Sequence, residues 1–404
     1  MINLIYILVD VYRRMMLKSL LIVLLACCAL MANAQKKDTT IILLSDLKIQ
    51  IEATQALNDL YNFKFAKAEQ QFRWLKQKYA WHPLPYFLLG LSEWWKILPN
   101  TRDTSHDDRF LSYMDTVIYV AKRLRKKSEH KVEASFFLAA GYGFKGRLYS
   151  EDQRKQWRKA ASAGKNALKY LDDSKGKHEL SPELLFGDAL YNYFSVWVPE
   201  NYPLLKPILV FFPKGDKELG IKQLREVSFN AFYTRTEAQV FLMRILNNYE
   251  NDKRSALQIG EYLHQTYPDN SYFHRYYARL LYSNGKFNDV IPVAEKILTH
   301  IDSGKLGYEA TSGRYAAFFL GHVYETRKRY PEAKTSYNRA MEFAEEIEAT
   351  DTGYYLYSML NLGRIYADVD GNKTKAKEYY KKVKKLAKRK HPAYKEAKKR
   401  LKEL

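Results

Sequence analysis

Cysteine is almost absent from this chain. Of its 404 residues only Cys27 and Cys28 are cysteines, and both lie in an apolar stretch near the N-terminus. A chain cleaved after that stretch has no disulfide, no thiol nucleophile and no thiolate metal site. Catalytic motifs are also missing. There is no His-Glu-x-x-His, no glycine-rich loop ending in Lys-Ser/Thr, no calcium loop of alternating acids and no Gly-x-Ser-x-Gly elbow. The nine histidines are scattered. His106-Asp107-Asp108 reads as a solvated polar turn, and Glu345, Glu346 and Glu348 as the wet end of a surface helix. No run alternates with the two-residue period of a strand. The expectation is a non-enzymatic protein with no catalytic residue, no metal ligand and no cofactor.

What the chain does contain is apolar bulk and positive charge. Apolar residues make up 47%, enough to pack along the whole length, and there are 33 tyrosines against 6 tryptophans. Tyrosine packs its ring between helices while its hydroxyl reaches water or a carbonyl, which suits thin helical layers. The net charge is +21, and residues 371–404 concentrate it, with fifteen Lys and Arg against three Asp and Glu.

Arg13, Arg14 and Lys18 precede the apolar run from Leu20 to Met31, and Ala32-Asn33-Ala34 supplies a small-x-small cleavage site before Gln35. Residues 1–34 therefore read as a signal peptide, with 1–14 an over-extended gene start before Met15 or Met16. The run is too short for a permanent membrane helix. The alternative is lipidation: Leu24-Leu25-Ala26-Cys27 approximates a lipoprotein box, although the apolar run continues past the cysteine. Either reading gives an exported protein, periplasmic or secreted in the first case and lipid-anchored in the second. Outside the cytoplasm the polyanions open to the basic tail are anionic lipid, acidic polysaccharide or acidic protein, and nucleic acid is not expected.

Beyond the leader the periodicity is helical. In 314–340 Leu320-Gly321 is followed by Tyr324, then Ala333, Tyr337 and Ala340; in 359–383 Leu362-Gly363 and Tyr366 lead to Ala376, Tyr380 and Val383. Gly321 and Ala333 are expected to be small because two helix backbones cross there. Ala278, the Asn284-Gly285 turn and Phe287 repeat the pattern at 271–297. These spacings resemble the tetratricopeptide repeat. The resemblance implies an all-α fold, a right-handed α-α superhelix of stacked helical hairpins. Hairpins are expected at about 51–80, 84–126, 130–173, 181–229, 235–267, 271–300, 308–346 and 351–388, with a capping helix at 393–403. Residues 35–229 read as divergent hairpins and 230–404 as tetratricopeptide repeats ending in the lysine-rich cap. From 195 to 216 Pro199, Pro203, Pro207 and Pro213 forbid a regular helix, so that segment is expected to be a long connection, either plugging a seam or binding a partner. Asn201-Tyr202-Pro203, Gly215-Asp216-Lys217, Thr236-Glu237-Ala238 and Tyr267-Pro268-Asp269-Asn270 resemble uncharacterised exported bacterial repeat proteins, which implies a scaffold that binds proteins or peptides.

In such a repeat the first helix of each hairpin lines the inner groove. Counting from the small position puts Tyr272, Arg275, Arg279 and Tyr282 there, then Tyr315, Phe318 and His322, then Tyr357, Leu360 and Arg364. Aromatics with arginines suit an extended peptide carrying acidic groups; the competing account is ordinary inter-helix packing. The second candidate surface is Lys381, Lys384, Lys385 and Lys388, which helical spacing puts opposite Ala376, Tyr380 and Val383. It serves either as a solubilising cap or as a dock for anionic lipid or polysaccharide.

Overall fold

A computed structural model describes residues 41–202, 213–351 and 353–404. The expected signal segment, Cys27 included, and residues 203–212 of the proline-rich connection lie outside the described residues. Among those described there are seventeen α-helices, one short 3-10 turn and no strand. In chain order the helices are α1 Leu47–Tyr61, α2 Phe65–Lys78, α3 Leu84–Ile97, α4 Asp107–Leu124, α5 Lys131–Ser150, α6 Trp157–Leu171, α7 Leu184–Asn201, α8 Lys217–Asn230 and α9 Arg235–Asn248. They continue with α10 Lys253–Thr266, α11 Ser271–Ser283, α12 Phe287–Asp302, α13 Ala310–Thr326, α14 Tyr330–Glu346, α15 Gly353–Asp368, α16 Lys373–Leu386 and α17 Pro392–Glu403.

Helix starts follow local chemistry. The carboxylates of Asp46, Asp216 and Asp252 accept from the backbone N–H groups of Ile49, Leu219 and Ser255, and the Asn270 and Asn372 amides do the same for Phe273 and Lys375. Gly285 and Gly371 take φ of +70° and +67° in the turns of their hairpins, where a side chain would strain the backbone. Except from α6 to α7, each helix packs on its successor, and the first helices α11, α13 and α15 also touch in series, with α17 against α15. That is the connectivity of an all-α solenoid, in which each hairpin buries its apolar face against the next.

The repeat signature has a different cause from the one expected. A methyl built on Gly321 falls 2.7 Å from the Tyr337 ring, and one on Gly363 falls 2.7 Å from the Tyr380 ring. The glycine is thus small because an aromatic face from the second helix lies flat on it, not because two backbones meet there. The Tyr337 hydroxyl donates to Glu325 at 2.7 Å and accepts from Asn361 at 2.9 Å, which ties this hairpin to the next. A backbone close approach does occur elsewhere: a methyl on Gly220 of α8 would stand 2.7 Å from the Tyr193 nitrogen of α7. Pro199 is a second correction. Helix α7 continues through it to Asn201. Pro199 lies within the last turn, so the missing N–H costs a single bond near a fraying end.

The solenoid also returns on itself. Trp95 of α3 is fully buried, edge-on to Tyr61 at 5.2 Å, Phe273 at 5.1 Å and Tyr272 at 5.9 Å. Its indole N–H donates to Glu237 of α9 at 2.8 Å, and the Asn270 amide donates to the Tyr61 carbonyl at 2.8 Å. These contacts seat the first three helices against α9 and α11.

Close by, the seams of α10, α11 and α12 bring three histidines together. His264 stacks on His274 at 4.4 Å, His274 meets His300 at 6.1 Å, and a hydrogen bond of 2.9 Å joins His274 Nδ1 to the Tyr308 hydroxyl. Burial keeps the rings neutral, with the charges of Lys296 and Lys305 adding to it: His264 is pulled down to about 4 and His274 to about 2, and His300 is also lowered. In the unfolded chain the same rings take up protons near pH 6.5. A depressed histidine contributes stability that is present above pH 6.5 and is lost as pH falls below it. Between pH 7 and 5 the His264 and His274 rings should each cost about 2 kcal/mol. His264→Phe keeps a ring in the stack but removes one proton from the balance. Denaturant titrations at the two pH values should show a shallower decline in this variant; identical declines would contradict the assignment.

Candidate ligand-binding cavity

Three first helices present arginine and tyrosine to the inside of the coil. On α11, Tyr272, Arg275, Tyr276 and Arg279 recur at helical spacing on one face. Helix α9 contributes Arg244 and Asn248, and α13 contributes Thr311, Arg314 and Tyr315. The fourth wall is Leu98–Arg102, the segment that leaves α3 just after Trp95, together with Glu151 at the end of α5. They surround a cavity of ≈ 250 Å³. Asn248 at its rim is exposed, so the cavity reaches solvent.

Its electrostatics are one-sided. Five guanidiniums, Arg102, Arg244, Arg275, Arg279 and Arg314, line it against the carboxylate of Glu151. Arg275 donates to the Pro99 carbonyl at 2.7 Å and to Ser312 Oγ at 3.2 Å, with Glu309 at 4.0 Å. Arg102 donates to the Glu348 carbonyl at 3.2 Å, and Arg279 makes a 3.4 Å bond to the Asn248 side-chain oxygen. Arg244 makes no hydrogen bond or ion pair to a described residue. Burial foremost, and then the Arg275 and Arg102 charges, pull the Arg314 guanidinium below its ordinary value. Burial pushes the Glu309 carboxyl up, against the opposing charge of Arg275. Tyrosine faces hold the forks in place: Arg275 lies 5.6 Å from the Tyr272 ring centre, Arg279 5.6 Å from Tyr276 and Arg314 5.1 Å from Tyr315.

The residues expected in a single groove therefore divide. Tyr272, Arg275, Arg279 and Tyr315 line the cavity. Tyr282 instead stacks on Phe319 at 4.3 Å, Phe318 is buried with the Tyr354 ring 4.8 Å away, and His322 packs on Tyr282 and Phe287. Tyr357 sits 5.8 Å from His391, Leu360 is buried, and Arg364 pairs with Glu325 at 2.7 Å. Tyr272 is itself only 6% exposed, so for it and for Phe318 inter-helix packing accounts for most of the surface. Sequence reasoning missed Arg102, Arg244 and Arg314. Arg244 carried a signal: it is a lone charge within the buried run Leu242, Met243, Ile245 and Leu246. On α16 Lys381 and Lys385 are exposed and Lys384 is half-buried, Lys388 is exposed just past the end of the helix, and none of the four makes an ion pair with a described residue. His106 contacts Glu93 at 3.0 Å and Asp107 receives Arg154 at 2.7 Å, so that turn is held by protein partners. Asp216 caps α8, as expected.

Residues 314–389, from α13 to just past α16, match the family model of the tetratricopeptide repeat. The chain matches no curated protein. Among solved structures it is similar to the human IFIT1 dimer with PPP-AAAA, over 80% of this chain and 68% of that one, at 14% identity and a TM-score of 0.41. It is also similar to yeast Tom70, over 88% of each chain, at 11% identity and a TM-score of 0.29.

The arginines should separate by role. Arg275 is a strut to Pro99, so Arg275→Ala should lower unfolding stability by about 1–3 kcal/mol by leaving that carbonyl unpaired. Arg279→Ala should stay within about 0.5 kcal/mol of the parent. Equal losses in denaturant titrations would refute this division.

Proposed function

We propose that the chain is a non-enzymatic interaction scaffold, exported from the cytoplasm, that binds a protein or peptide partner through acidic groups seated in the tyrosine–arginine interior. The observation that supports this most is the convergence of five guanidiniums on one cavity lined by a single carboxylate. Charge of one sign set into a concave, aromatic-walled surface favours a ligand of the opposite sign and disfavours others. The family match at 314–389 agrees with a scaffold, because stacked hairpins offer concave surface rather than catalytic groups. The leader read from Arg13 to Ala34 supports export. A second reading rests on Lys381 and Lys385, exposed on α16, and Lys388, exposed just beyond it: this end docks on anionic lipid or polysaccharide.

Crosslinking and co-purification from the native host tests the first reading. A partner captured by the parent should be lost from an Arg244→Gln, Arg279→Gln double variant and retained by one in which Lys381, Lys385 and Lys388 become Glu. The reverse pattern, with release as salt rises, would favour the lysine surface.

A further inference from the structure

The cavity is more selective than a basic groove has to be. A carboxylate carries one charge and engages one guanidinium fork. Among the described residues Arg102, Arg244 and Arg279 have no carboxylate within 4 Å, and Arg275 has Glu309 only at 4.0 Å. The Tyr272, Tyr276 and Tyr315 rings hold three of the five cations in position, so their mutual repulsion is built in before any ligand arrives. A single carboxylate would leave most of that repulsion standing. A phosphate monoester carries nearly two charges at neutral pH and three strong acceptor oxygens, and so reaches several forks at once.

Volume bears on what the phosphate is attached to. Four oxygens at about 10–15 Å³ each, the space one water takes up in a cavity, fill about a quarter of the space. The rest is bounded by Leu98, Pro99 and the tyrosine rings, which are surfaces for carbon rather than for a hydrated ion. The segment 98–102 crosses this end and closes it to an extended chain, because Pro99 is tied to Arg275 and Arg102 to Glu348. We propose that the cavity is a binding site for a phosphate monoester, its phosphate held by Arg244, Arg279 and their neighbours and its organic group against the tyrosine rings. This rests on the reading of the cavity as the ligand site and names the chemistry it selects.

Calorimetric titration of the chain with phenyl phosphate, benzoate and inorganic phosphate at fixed ionic strength tests it. Phenyl phosphate should bind one to one at pH 7.5, at least tenfold more tightly than either of the others. It should weaken below pH 6 as the ester becomes a monoanion. Arg244→Gln should reduce the affinity tenfold or more, while Arg364→Gln, outside the cavity, should leave it unchanged; Arg279→Gln replaces Arg244→Gln if the latter does not fold. Benzoate binding as tightly would overturn the phosphate assignment and leave an acidic partner standing. Inorganic phosphate binding as tightly would overturn the organic part. No saturable binding of any of the three would overturn the proposal, whereas the capture of a protein partner is read separately by crosslinking.

Discussion

The buried indole of Trp95 is the contact on which the interior depends. It stands 142 residues before Glu237 and joins the first hairpins to the middle of the chain by one hydrogen bond and two aromatic contacts. Burial pushes the Glu237 carboxyl up, and the Arg147 charge opposes that shift. Arg147 is itself gripped between the Trp94 and Phe241 rings at 4.5 and 5.1 Å. This is a costly environment for two charged groups, neither in an ion pair with a described residue, because burial works against the charge of each. Its structural return is positional. Residues 98–102 follow Trp95 closely, so fixing the indole brings Pro99 to Arg275 and sets one wall of the cavity.

Local order was readable because each hairpin repeats its own instructions. Leu320-Gly321 and Tyr337, like Leu362-Gly363 and Tyr380, set a ring against a glycine at almost constant separation. Asp216, Asn270 and Asn372 stand where helices begin. The eight expected hairpins accordingly coincide with the pairs from α1 and α2 to α15 and α16. The physical cause was misread at Gly321, since spacing shows that a residue is small but not what lies over it. Pro199 was misread for a related reason: a proline in the final turn of a helix and one in its middle look alike in a sequence.

The cavity was half visible. Tyr272, Arg275, Arg279 and Tyr315 follow from helical counting within one hairpin or the next. Arg102 reaches the same space only because the coil returns on itself, and no local pattern encodes a contact across more than a hundred residues, whereas Arg244 comes from the hairpin before α11 and was passed over as a bulky residue at a small position. Phe318 and Tyr282 show the opposite error. They share the groove periodicity but are drawn into aromatic packing, where a ring buries more area than it would against a ligand. Positive charge thus occurs in two settings: on α16 it is spread over solvent, whereas in the cavity it is held still by tyrosine faces.

The closure of the coil is the claim from which the cavity follows, and a double-mutant cycle on Trp95→Phe and Glu237→Leu measures it directly. The residues are too distant in sequence to interact unless the first hairpins seat against α9. If they do, removing the donor alone leaves a buried acceptor unpaired, and removing both relieves it, so denaturant unfolding should give a coupling energy of about 1–3 kcal/mol. Additivity within about 0.5 kcal/mol would mean that the indole and the carboxylate do not meet, and that the arginines do not share one cavity.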